Sequence, residues 1–373
     1  MRRVFLFLLI IISYSFIRPQ EIIENPEKPL SRNAGRVLKL KEVIRITDKS
    51  VDYYFKYPGD LKVAHDGCIF FRDEEQILKF SPEGEFIRNY FKKGQGPGEI
   101  SGWNYPFALF KDEIYVYDSN PRKIIHFDKG GDLIEEFSFK SEDYRNLYGV
   151  LDGSFIFIKN VYPSVEERKS RLHDVKHIIF LVSNDGKVER ENSVFPVKQF
   201  LGQNYGKGWA PFDTVISEDN KRLYIYHTCE YMIDLLDIKK GEVIRSFNRK
   251  YPRVKYTIKY PDEEEFAKKY NAPIKKFEDD ISDLYICKGF LWIKTSTKDK
   301  NKGDLFDVFN EEEQYIDNFY INLKGSLMGV HEDSIFVLET DEDENLQIVK
   351  YKIIDGIKIP QSPGLPGLKK DVE

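Results

Sequence analysis

The chain has 373 residues and a formal net charge of -5, with 32% charged residues of both signs interspersed. That mild acidity argues against a nucleic-acid binder, which would normally show a basic patch or stripe, and 28 Phe and 23 Tyr against only 3 Met favour strands over helices. Three cysteines, Cys68, Cys229 and Cys287, lie far apart in or beside apolar runs, which excludes a fully paired disulfide framework and offers no zinc-type spacing.

The opening, MRRVFLFLLIIISYS, sets two arginines before an apolar run from Val4 to Ile12 and small residues at Ser13 and Ser15. The run is short for a membrane span and has the proportions of a signal-peptide core. Residues 1–15 are therefore read as an export signal, with a retained anchor as the alternative. The mature protein is expected in the periplasm or outside the cell, without a membrane span and as a monomer. Residues 16–36 are polar, proline-bearing and without period, so they are read as a leader segment with no core to bury.

From 37 onward, short apolar runs alternate with turn chemistry. VLKLKEVIRI (37–46) alternates apolar and charged residues, the pattern of a half-buried strand. LKVA (61–64), CIFF (68–71), ILKF (77–80) and FIRNYF (86–91) follow, separated by HDG, RDEEQ and SPEGE. Four-run units recur over 106–139, 147–195, 213–247 and 281–321, and a last unit over 326–353 has only three runs. Where no insertion intervenes the period is about 40–45 residues, the spacing of four-stranded propeller blades. The fold is therefore read as all-β: a six-bladed β-propeller over 37–355, its last blade closed by the N-terminal strand 37–46. Residues 356–373, rich in Pro and Gly, are read as a flexible tail.

The second unit, GQGPGEISGWNYPFALFKDEIYVYDSNPRKIIHFDKGG, resembles an NHL repeat, with its glycine-rich turn, its I-Y-V-x-D strand end and the basic residue before the next apolar strand. KKGQGPGE together with the N-terminal strand is similar to six-bladed propeller proteins exported by Bacteroidetes and related bacteria. That resemblance implies a fold and leaves the chemistry open. GQGPGE precedes a strand and not a helix N-terminus, so its glycines are read as permitting a tight blade-to-blade crossing rather than cradling phosphate.

Blade topology sorts the connections into two faces. Loops joining second to third strands, and fourth strands to the next blade, share one face. The long connections 92–105, 159–177, 196–212, 248–280 and 294–303 all fall there, and long loops in compact domains concentrate function. Helices are expected within 163–177, from its proline start and the Glu167–Arg171 spacing, and within 261–273, from Pro-Asp-Glu at the start and Asn-Ala-Pro at the end. The run TSTKDKNKGD within the fifth unit is expected to be a mobile, solvated charge run. Trp103, Tyr105, Tyr205 and Trp209 are candidate stacking residues on the long-loop face. Arg122, Arg145 and His227 are candidate anion partners near it. The expected ligand is a glycan, a peptide or a protein.

Nothing in the chain marks catalysis: there is no G-x-S-x-G elbow and no H-E-x-x-H helix, and no catalytic or metal-binding residue is assigned. Propeller lactonases and lyases resemble this fold and hold metals near the central channel. That likeness leaves room for a divalent cation there, with Asp213, Asp283 and His331 as acid and histidine candidates. The leading expectation is an exported non-enzymatic binding or scaffold propeller; the alternative is a metal-assisted hydrolase or lyase acting at the channel mouth.

Overall fold

Apolar runs as dense as Gln76–Phe80, buried along its whole length, need cover on both faces, and in this chain neighbouring sheets provide it. In a computed structural model, described over residues 22–48, 51–102, 105–139, 146–203, 205–258 and 261–355, the strands form six antiparallel-cored sheets. The first blade is Gly59–Val63, Ile69–Asp73, Gln76–Phe80 and Phe86–Asn89. The second is Phe107–Phe110, Glu113–Ser119, Arg122–Phe127 and Leu133–Ser138. The fourth is Asp213–Ile216, Arg222–Tyr226, Ile233–Asp237 and Glu242–Arg249. The fifth is Ile281–Cys287, Phe290–Asp299, Gly303–Phe309 and Tyr315–Ile321.

Six apolar clusters lie between the sheets, each shared by neighbouring blades. Phe70 and Phe107 meet between the first and second, Tyr117 and Phe157 between the second and third, and Ile156 and Ile225 between the third and fourth. Phe247 and Phe309 join the fourth to the fifth, and Trp292 and Val337 the fifth to the sixth. Phe336 and Ile348 return to Phe71 and Phe80 of the first blade. The ring is the six-bladed β-propeller expected from the repeat.

The sixth blade has Ser326–His331, Ser334–Thr340 and Leu346–Ile353 from the C-terminal side, and Leu40–Thr47 as its outer strand. That strand runs antiparallel to Leu346–Ile353, with Ile46 opposite Ile348 and Leu40 opposite Ile353. Closure by the N-terminal strand is thus as expected.

The segment before it is not the loose leader that its composition suggests. Ile22–Asn25 lies parallel to the outer strand of the fourth blade, Ile22 opposite Ser246, and Arg36–Val37 lies parallel to the outer strand of the fifth. The segment covers two exposed edges in succession. These pieces are four and two residues long, too short to show a period, and polar groups locate them. Buried Asn25 donates to the carbonyls of Asn248 and Glu313, both at 3.0 Å, and accepts from the Tyr315 amide at 2.8 Å. Arg36 pairs bidentately with Asp317 at 3.0 and 2.8 Å. Asn25→Ala leaves the buried Tyr315 amide and two carbonyls without this partner. It is expected to cost about 2–3 kcal/mol in urea denaturation, and a loss below 0.5 kcal/mol would contradict the clamp.

Candidate functional site

The third blade departs most from a regular repeat. Its strands Asn146–Leu151, Ser154–Val161, Arg171–Val182 and Val188–Leu201 are joined by a fifth, Gly206–Gly208. The third and fourth strands pair from Val182–Val188 out to Arg171–Leu201, so they run on past the second strand as an arm, whose tip the fifth strand joins at Gln199–Leu201. The helix expected within 163–177 does not form. From 171 the chain is strand, with Val175, His177 and Ile179 buried on alternate positions. Alternation matched to Val197 and Phe195 across the ladder outweighs an i,i+4 charge pair of about 0.2–0.5 kcal/mol. Glu167 caps a turn instead, accepting from the Ser164 amide at 2.9 Å. The charge run after Thr295 is likewise not loose. It continues the strand Phe290–Asp299, with Lys294 and Lys298 both on Asp304 at 3.0 and 3.2 Å.

The second insertion does form its helix, Pro261–Tyr270, with Asp262, Glu263 and Glu264 in the first turn and Lys268 and Lys269 in the last. It packs on the arm. Phe266 meets Phe200 edge-on at 6.0 Å, Tyr270 lies 3.9 Å from Tyr205, and Lys207 pairs with Glu263 at 2.9 Å. Two concavities flank this contact. One, of about 240 Å³, is lined by Phe200, Trp209, Tyr256, Phe266 and Lys275, with the Lys275 ammonium 5.9 Å from the Trp209 ring. The other opens at the arm's outer end beside Tyr205 and Tyr270.

The other candidates are distributed differently. Tyr105 does not face outward: it is 5% exposed, packs on Phe91 at 5.0 Å and lies under the Arg72 guanidinium at 5.5 Å. Its place follows from the crossing before it. Asp118, the Asp of I-Y-V-x-D, accepts the amides of Ser101 at 2.8 Å and Gly102 at 2.7 Å. A Cβ on Gly102 would stand 2.3 Å from that carboxylate, so glycine is required where loop and strand end meet. Asp73 does the same in the first blade, accepting the Lys56 and Tyr57 amides. Gly98, at φ +72°, supplies the left-handed turn in the crossing.

His227 is committed to the structure on both ring nitrogens, at 3.1 Å from the Pro196 carbonyl and 3.0 Å from Asp234. Burial opposes its charge, but Asp234 and the carbonyl outweigh this and raise its pKa. Arg122 opens the third strand of the second blade, half-buried. Trp103 and Arg145 lie outside the described residues, as do the signal 1–15 and the tail 356–373.

The channel along the ring axis, about 600 Å³, is walled by the innermost strands of all six blades. At its long-loop end Asp213 and Asp283 meet. Burial first, and then the neighbouring Asp283 charge, push the Asp213 carboxyl up to about 7. Below that value Asp213 can carry a proton towards Asp283, which also accepts from the Tyr285 hydroxyl. Burial pushes the Tyr148 phenol beside them up to about 12. His331 does not join this group: Asp213 begins its strand, whereas His331 ends Ser326–His331 at the other mouth, roughly 15 Å away along the strand. Among the described residues, no three His, Cys, Asp or Glu side chains gather closely enough to hold a metal ion, and no helix is long and apolar enough to cross a membrane.

Sequence reasoning singled out both aspartates but not their partnership, because they lie 70 residues apart and only the packing of the fourth blade on the fifth sets their inner strands side by side. Comparison with known proteins reaches the same fold. The family DUF5128, described as a 6-bladed beta-propeller, matches residues 46–196. A crystal structure from Bacteroides fragilis, of a protein named as a candidate exported protein, is similar at 13% identity and TM-score 0.51, covering 89% of this chain and 99% of its own. A DUF4221 member from Bacteroides vulgatus is similar at 12% identity and TM-score 0.52, covering 86% and 99%. No curated protein matches the chain. Family description, distant structures and the ring of shared apolar clusters agree on a six-bladed β-propeller.

Proposed function

We propose that this is an exported binding protein that takes up a glycan, peptide or protein on the long-loop face of its propeller. One observation carries the reading: the helix of the longest connection, 248–280, packs on the connection 196–212 on that face, and the two leave aromatic-lined concavities at Tyr205 and Trp209. Aromatic side chains already held by neighbours lose little entropy on contact and suit sugar faces and peptide side chains alike. Trp209→Ala is expected to weaken binding of a ligand found by glycan- and peptide-array screening at least tenfold, measured by calorimetry. Unchanged affinity for every array hit would count against this face.

The acid pair favours a second reading, an acid–base reaction at the channel mouth. A carboxyl whose pKa burial lifts towards neutrality, beside a second carboxyl, has the form of a general acid with its partner. A metal serving such a reaction would draw from Asp213 and Asp283 only two protein ligands and would need others from substrate and water. Turnover abolished in Asp213→Asn would favour this reading over binding alone.

A further inference from the structure

The concavity at the outer end of the arm is lined by three cations, Arg168, Lys169 and Arg171. In a chain of net charge -5, residues 168–171 read Arg-Lys-Ser-Arg, and the side chains stand around an open hollow of about 760 Å³ together with Gln203, Tyr205 and Tyr270. Arg168 is anchored, donating to the Pro163 carbonyl at 3.0 Å and lying 5.8 Å from the Tyr162 ring. Lys169 and Arg171 are exposed, and neither forms an ion pair with a described residue. Lysines close by do so: Lys198 holds Asp174 at 2.8 Å and Lys207 holds Glu263 at 2.9 Å. A fourth cation, Lys269, rests 5.0 Å from the Tyr270 ring.

Neighbouring rings hold the floor of the hollow. Tyr205 is pinned between Phe200 and Tyr270, at 6.2 and 3.9 Å, and its hydroxyl is bonded to Ser170. Fixed aromatic rings with unneutralised cations at their edge, and an amide at Gln203, match one chemistry well. A pyranose ring lies on aromatic surface, its carboxylate or sulfate pairs with the guanidinium and ammonium groups, and its hydroxyls meet the amide. We infer that this hollow is a subsite for an acidic polysaccharide, one bearing uronate or sulfate groups, with Arg171 and Lys169 as anion partners and the Tyr205–Tyr270 pair as its aromatic surface. The inference rests on the long-loop face being a binding face and names the ligand class for its arm. A duplex nucleic acid would need a basic stripe longer than this, and acids at Glu166, Glu167 and Asp174 interrupt the patch within a few residues.

The test uses the full mature protein and calorimetry with four probes: tetragalacturonate, its methyl ester, a dextran-sulfate oligomer and neutral dextran. The expected result is binding of one or both acidic oligomers, at least tenfold weaker for their neutral counterparts and falling as salt is raised. The double substitution Lys169→Glu with Arg171→Glu is expected to weaken it a further tenfold or more at unchanged melting temperature, and Tyr270→Ala to weaken it at constant salt dependence. Equal affinity for acidic and neutral oligomers, or equal binding of a 20-base-pair duplex or of anionic lipid vesicles, would overturn the inference. If a neutral glycan or a peptide binds and depends on Trp209 while no acidic oligomer binds, the face stands and the acidic subsite falls. If nothing binds and no array hit is found, both fall.

Discussion

Asp213→Asn is expected to make the propeller more stable at pH 8 and to leave it nearly unchanged at pH 4. Burial and the Asp283 charge raise the Asp213 carboxyl from 3.8 to about 7 in the fold. Between those two values the folded chain binds a proton that the unfolded chain has released, so stability falls as pH rises through the window. Above it the penalty is complete. Three units at 1.36 kcal/mol each would set an upper bound of about 4 kcal/mol, and sharing of the charge with Asp283 and Tyr285 reduces this to about 2–4 kcal/mol. Asparagine keeps the donor to Asp283 without the charge, so the substituted chain should lose this part of its pH dependence. Urea denaturation at pH 4, 6 and 8 measures it. A difference that does not change across the three would mean that Asp213 ionises as freely in the fold as in the unfolded chain.

Ring closure sets the second large effect. Ile46 is 3% exposed and packs in the cluster that joins the last blade to the first, whereas Val43, three residues earlier on the same strand, is 46% exposed. Ile46→Ala is expected to cost about 2–4 kcal/mol, and Val43→Ala within about 0.5 kcal/mol. A chain begun at residue 51 removes the whole outer strand, bares the edge of Leu346–Ile353 and uncovers Ile348. It is expected not to unfold as one cooperative unit, with a melting temperature at least 10 °C lower or a broadened transition, since a loss of several kcal/mol moves a large domain by a few degrees each. An unchanged melting temperature for that chain would refute closure by this strand.

Closure was legible because LKLKEVIRI alternates strongly and the last unit is one strand short, so a count of strands identified its partner. The strands of the blades were legible for the same reason: each is short, apolar and bounded by turn residues such as His65-Asp66-Gly67 and Ser81-Pro82-Glu83-Gly84. The first-turn acids and last-turn lysines of Pro261–Tyr270 likewise marked a helix from local rules alone. The arm was misread because Glu167 and Arg171 sit at helical spacing, while the ladder that overrides them depends on Phe195 and Val197, some 20 residues on. The strap at Ile22–Asn25 was missed because its partners are more than 220 residues away.

By itself, then, the sequence determined a ring of six blades, its closing strand, and the face on which the insertions gather. Those features rest on period, turn chemistry and strand count, which can be read along the chain without knowing which side chains meet. Only the tertiary structure decided what stands on that face. It buried Tyr105 behind the clamp of Asp118, committed both nitrogens of His227, left His331 at the far mouth, joined Asp213 to Asp283, and seated the helix on the arm so that Tyr205 and Trp209 came to line hollows. Each of these outcomes is a meeting of side chains distant in the chain. Burial and hydrogen-bond satisfaction choose such meetings, and both are properties of the closed ring rather than of any one strand.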